Sequence, residues 1–285
     1  MKKMSFILFC LLLSIVSMEA GAKSVTFAFY SGSAEESVVD SIKASYACHN
    51  SGEGLDIVPL IVKEGKLQAA VAEFSDYLST HSSSISQYNM IGVGIMGSAV
   101  ATMCAAESSP ESLVLISGLG ISGRDALRRI LTAGSYMANM QMGDSQNFRK
   151  QVDGTLCGTC DSIMLPSGFA ELKYFVPTQY LEKVKCPVLC VYGTNDSLVE
   201  WYENAKAAES ALSASNHGSK VLAYMNTGYC LLSSSQSNIP HTGDINPNLK
   251  NTTVNATAIS YIVDWISSEN KITHRRGGGS ESAFP

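Results

Sequence analysis

Two absences narrow the field before any motif is considered. Beyond residue 22 the sequence has no apolar run long enough to cross a bilayer, for which about 20 consecutive apolar residues are needed. It also has no basic excess: 20 Lys and Arg stand against 25 Asp and Glu over 285 residues. Nucleic-acid recognition draws on a basic patch, so no nucleic-acid partner is expected. The one long apolar run, Phe6 to Val16, follows the basic start Met1-Lys-Lys-Met4 and precedes Ala20-Gly-Ala22. That order of basic, apolar and small residues is a secretory signal. Cleavage after Ala22 is expected, which makes the chain secreted or periplasmic and leaves 263 residues with 18 basic and 24 acidic side chains. This length suits one α/β core with an inserted cap.

Seven cysteines follow the signal. Cys157-Gly-Thr-Cys160 has redox-type spacing but lacks the preceding strand and following amphipathic helix of a thioredoxin-like site, so a local disulfide in a surface loop is expected. Cys186 and Cys190 share a strand face with Val188 and read as buried apolar side chains. Asn195, Asn251 and Asn255 begin glycosylation sequons, which matter only in a eukaryotic secretory pathway.

Strand and helix signals alternate along the chain. Strands are expected at 25–30, 57–62, 88–93, 113–117, 188–192 and 221–224. Helices are expected at 67–78, 98–107, 200–213 and 256–266. Residues 122–180 lack strand alternation and read as a cap over the sheet, while 271–285 reads as a disordered tail. Strands alternating with helices predict a mostly parallel sheet covered on both faces. The loops after residues 30, 93, 117, 192 and 224 should then line one sheet edge, where open α/β sheets bind ligands.

Two constellations could carry chemistry. Lys185-Cys-Pro-Val-Leu-Cys-Val-Tyr-Gly-Thr-Asn-Asp196 reads as a late core strand ending in a turn that presents a carboxylate. Tyr88–Val93, the glycine-rich turn and Ser98–Glu107 read as strand, turn and helix. Together with Pro177-Thr-Gln-Tyr-Leu-Glu-Lys-Val-Lys-Cys-Pro-Val-Leu189, Gln236 and Thr242-Gly243, they give residues 88–266 a resemblance to exported α/β-hydrolases of the dienelactone-hydrolase and serine-aminopeptidase type. The resemblance implies an α/β-hydrolase fold and a Ser–His–Asp ancestor acting on a small ester or peptide-like ligand, without cofactor or metal.

That family places its nucleophile in a G-x-S-x-G strand-to-helix turn. Matching Met96-Gly97 and Val100-Ala101 to its S-M-G-G-x-V-A run puts Ile95 at the nucleophile place and Val93 at the first glycine. A second register keeps Gly92 as the first glycine and puts Gly94 at the nucleophile place. Both remove the hydroxyl. Asp196 fills the acid place, and Tyr229, 33 residues later, stands where the resemblance implies the histidine. Ser98 and His241 are the available substitutes, and Asp196 could instead cap a helix at Glu200. The loop Ser31-Gly32-Ser33, with the Met96 amide, occupies the place of the oxyanion-stabilising backbone. The expected function is therefore a degenerate hydrolase, a pseudoenzyme with a binding or scaffold role. One alternative is an active ester or peptide hydrolase using displaced residues. A second is a dinucleotide-binding protein, because Gly92-Val-Gly94-Ile-Met-Gly97 also matches G-x-G-x-x-G.

Overall fold

The computed structural model describes residues 23–50, 54–63, 66–132, 145–159, 163, 165, 169–213, 218–233 and 253–277. The expected signal peptide lies outside them. Six strands form one sheet: β1 (Lys23–Tyr30), β2 (Ile57–Ile61), β3 (Ile85–Val93), β4 (Ser112–Ile116), β5 (Val188–Gly193) and β6 (Lys220–Tyr224), in the order β2-β1-β3-β4-β5-β6. All five pairings are parallel. The interior strands β4 and β5 are buried along their whole length, as their unbroken apolar runs require of strands covered on both faces.

Helices α1 (Ser33–His49) and, at the end of the chain, α9 (Ala256–Gly277) pack together on one face, while α2 (Leu67–Thr80) and α3 (Gly94–Glu107) pack on the other. The helix α3 is buried from Gly94 to Ala105. Its small residues let it lie almost on the sheet: a β-carbon on Gly97 would strike the Phe29 carbonyl, and one on Gly92 would come within 2.6 Å of the Ser98 Cα. Between β4 and β5 the described chain forms α4 (Gly123–Thr132), α5 (Ser145–Cys157), α6 (Phe169–Leu172) and α7 (Pro177–Leu181). The helix α8 (Trp201–Ser213) follows β5, and a two-residue antiparallel ladder joins β7 (Leu232–Ser233) to β8 (Thr253–Val254).

The segment after β1, for which no element was expected, is a 17-residue helix, α1. Two expectations change. α9 runs through Gly277 into the expected tail, because no glycine or proline interrupts the chain before Gly277-Gly278-Gly279; residues 278–285 lie outside the described set. The expected bridge between Cys157 and Cys160 is not formed: Cys157 is a free, exposed thiol at the end of α5, and Cys160 lies outside the described residues. Cys186 and Cys190 are buried.

Candidate functional site

Parallel strands bring the ends of β1, β3, β4 and β5 to one edge of the sheet. The turn from β3 into α3 lies at this edge. Its left-handed residue is Gly94, with φ +72°, a conformation that costs other L-residues about 1–2 kcal/mol. Ile95, the expected nucleophile place in the first register, has its side chain 1% exposed in the core. The strained turn thus falls on the second register's residue.

The space above Gly94 is filled. A β-carbon there would collide with the Tyr229 hydroxyl and come within 2.8 Å of Glu35 Oε1. The Tyr229 hydroxyl donates to Glu35 Oε1 at 3.1 Å and accepts the Ile95 amide, also at 3.1 Å. That amide is at the first turn of α3, where unpaired N–H groups and the helix dipole favour negative charge. Tyr229 is held by a single 3-10 turn, Tyr229–Leu231, in which Cys230 and Leu231 have φ +53° and +61°. Backbone strain of this kind clusters at functional sites. Two bonds anchor the turn: the Cys230 amide donates to Ser117 Oγ at 3.0 Å, and the Asn255 amide to the Leu231 carbonyl at 2.8 Å. Ser117 itself has φ +50°.

Glu35 comes from the first turn of α1 and is 3% exposed. Burial raises its pKa, opposed by its own amide, the Tyr229 and Ser31 hydroxyls and the Gly32 amide. Its Oε2 is buried without a hydrogen-bond partner. The Ser31–Ser33 loop supports this carboxylate, with Ser31 Oγ 3.4 Å from Oε1. Burial likewise pushes the Tyr229 phenol well above its ordinary value, helped by the nearby Cys230 and Glu35.

Asp196 stands in the turn after β5. Its Oδ1 accepts the Leu198 and Val199 amides at 2.9 and 2.8 Å, closing a local turn. It does not cap the next helix; Glu200 does, accepting the Tyr202 and Glu203 amides at 3.2 and 2.8 Å. The residue as a whole is half-buried, but its carboxyl group is enclosed and Oδ2 has no partner. This burial pushes its pKa up to about 7 against those two amides and the weaker influence of the Ser117 hydroxyl. Asp196 and Glu35 both act electrostatically on Tyr229 and Cys230, so the edge carries two buried acids around one strained turn.

The remaining expected residues have other surroundings. The Ser98 hydroxyl, 2% exposed, faces the Gly92 and Ile116 carbonyls at 3.0 and 3.2 Å, tying α3 to β3 and β4. Met96 is buried behind the turn. Gly92 and Gly97 are accounted for by the close approach of α3 to the strands. His241, Gln236 and Thr242-Gly243 lie outside the described residues. No group of three or more metal-ligating side chains occurs among the described residues. Sequence reasoning missed Glu35, Ser117 and Cys230. Glu35 had a signal: it shares spacing 35, 38, 42 with buried Val38 and Ile42, a carboxylate set into an apolar stripe.

No protein-family model matches the chain, and no curated protein matches it in sequence. Solved structures do match. The esterase domain of a Rhodothermus marinus protein superposes with a TM-score of 0.51 at 11% identity, covering 88% of this chain and 87% of that one. A metagenome-derived lipolytic enzyme, of the pair LipS and LipT, gives 0.55 at 12% identity over 87% and 95%. Est1E from Butyrivibrio proteoclasticus gives 0.50 at 11% identity over 88% and 90%. The chain has the α/β-hydrolase fold. At these identities the likeness concerns architecture, so the chemistry of this chain rests on its own residues.

Proposed function

We propose that this chain is an exported, degenerate relative of serine esterases with a binding or scaffold role toward a small ester or peptide-like ligand. The carrying observation is the elbow. Its left-handed residue is a glycine, and the Tyr229 hydroxyl and Glu35 carboxylate occupy the space a nucleophile's side chain would need. Tyr229 also takes the Ile95 amide, the N–H that would stabilise an oxyanion in a serine hydrolase. In this reading Asp196 is the retained acid, Gly94 replaces the nucleophile and Tyr229 replaces the histidine. Ser98 supports it too, since its hydroxyl is directed at two backbone carbonyls rather than at the edge.

The test is to treat the purified mature chain with a fluorophosphonate and map any modified residue by peptide mass spectrometry. No serine should be labelled above a heat-denatured control. Stoichiometric labelling of one serine beside Asp196 would overturn the proposal. The exported state is checked separately by sequencing the N terminus of the secreted protein, which should begin at Lys23.

A further inference from the structure

The groups that block the elbow are themselves arranged as a nucleophile and a base. We propose that Tyr229 accepts an acyl group from a small activated ester, such as an aryl acetate, with Glu35 as its general base. This rests on the reading that the seryl route is lost, and it gives the binding role a covalent form.

The geometry is that of a nucleophile held between a base and an N–H donor. The Tyr229 hydroxyl stands above Gly94 where a seryl side chain would project. Glu35 Oε1, 3.1 Å away, accepts its proton. The Ile95 amide, 3.1 Å away on the other side, stabilises charge on the phenolic oxygen as the proton leaves. Glu35 is in turn held by α1 and connected to the exposed Ser31 hydroxyl at 3.4 Å; Glu35 and Tyr229 are each 3% exposed, so the ester has to enter by displacing the Ser31 side of the loop. A nucleophile activated by an oriented base is the general pattern of covalent catalysis.

The step balances. The phenolic oxygen forms a bond to the ester carbonyl carbon, and its proton passes to Glu35. The bond from that carbon to the aryl oxygen breaks, and the aryl oxide takes the proton from Glu35. The products are an acyl-tyrosine and a free phenol, with Glu35 ionised again. Burial disfavours free phenolate at Tyr229, so proton transfer and bond formation have to coincide. The same burial makes Glu35 a stronger base than an exposed carboxylate.

The test uses the full mature chain and p-nitrophenyl acetate, with acid quenching, intact-mass analysis and peptide mapping. The expected result is about one acetyl group per chain, on Tyr229, with release of a matching amount of p-nitrophenol. Tyr229→Phe should abolish the adduct. Glu35→Gln, which keeps the side chain's size, should slow acetylation about a hundredfold, within the range general-base catalysis supplies. It also keeps the test sharp should Tyr229→Phe fail to fold. Acetyl groups scattered over lysines, or a Tyr229 adduct formed equally fast in Glu35→Gln, would overturn the couple. Absence of any adduct would overturn it while leaving the proposed loss of serine chemistry intact. Sustained turnover through an acetylated serine would sink that underlying reading instead.

Discussion

The Tyr229 hydroxyl sits directly over Gly94, bonded to the Ile95 amide on one side and Glu35 on the other. In the proposed reading, two departures from a seryl elbow are complementary. Loss of the side chain at 94 makes room for a phenol, and the phenol satisfies an amide that would otherwise be buried unpaired, at a cost of about 1–3 kcal/mol. Reversing either change alone leaves a collision or an orphaned donor.

The buried acids make stability depend on pH. Asp196 has a folded pKa of about 7 against an ordinary value of 3.8. Below the ordinary value both states hold the proton and the group costs nothing. As pH rises from there to about 7, the unfolded chain releases its proton while the folded chain retains it, so stability falls. The full penalty, reached above about pH 7, is a few kcal/mol at most, and raised Glu35 adds in the same direction. Asp196→Asn keeps an acceptor for the Leu198 and Val199 amides. Denaturant titrations should show the variant gaining on the parent between about pH 4 and pH 7 and keeping a constant lead above that; a pH-independent difference would refute the shift.

Ser98→Ala should lower stability by about 1–2 kcal/mol, because it leaves two buried carbonyls without the hydroxyl shared between them. Acetylation by p-nitrophenyl acetate should be unchanged in the folded fraction. Loss of acetylation with undiminished stability would make Ser98 a chemical rather than a structural residue.

Much of the architecture is legible because it depends on runs and periods. The apolar runs 188–192 and 113–117 announce buried parallel strands, observed as Val188–Gly193 and Ser112–Ile116, and Leu67, Ala70 and Phe74 mark one face of a helix. The elbow is less legible because Gly92, Gly94 and Gly97 satisfy several registers, and only the sign of φ at Gly94 chooses between them. The 3-10 turn is harder still, since neither Cys230 nor Leu231 favours a left-handed backbone by type. Asp196 lies in the expected turn after β5, while its immediate bonding, a local turn with the Leu198 and Val199 amides, differs from the helix cap that the spacing suggested.

Gly97→Ala tests why the glycine-rich turn exists. The added methyl would press on the Phe29 carbonyl, main chain that cannot rotate away, so a loss of about 1–3 kcal/mol or more is expected from overpacking. The melting temperature of the parent should not rise with NADH or NADPH. A clear cofactor-dependent rise, removed by Gly97→Ala in a folded variant, would restore the dinucleotide reading.

The most demanding prediction is that ester turnover can be rebuilt, and it discriminates between the two registers. Gly94→Ser alone should be inactive and less stable, because its side chain meets Tyr229 and Glu35 at a backbone already at φ +72°. Adding Tyr229→His removes the phenol and supplies an imidazole, and adding Glu35→Ala clears the second obstruction and leaves the Ile95 amide free for an oxyanion. Nucleophile and base act as a unit, so only variants carrying both should turn over p-nitrophenyl acetate. Ile95→Ser with Tyr229→His should stay inactive, since residue 95 points into the core, where removing an isoleucyl side chain costs a few kcal/mol without presenting a hydroxyl. Val93 need not change, because in the Gly94 register it occupies the variable place between the first glycine and the nucleophile. Activity in the Ile95 variant and none in the folded Gly94 triple variant would reverse the register. Silence in both would mean that Asp196 no longer stands where an imidazole at 229 can use it.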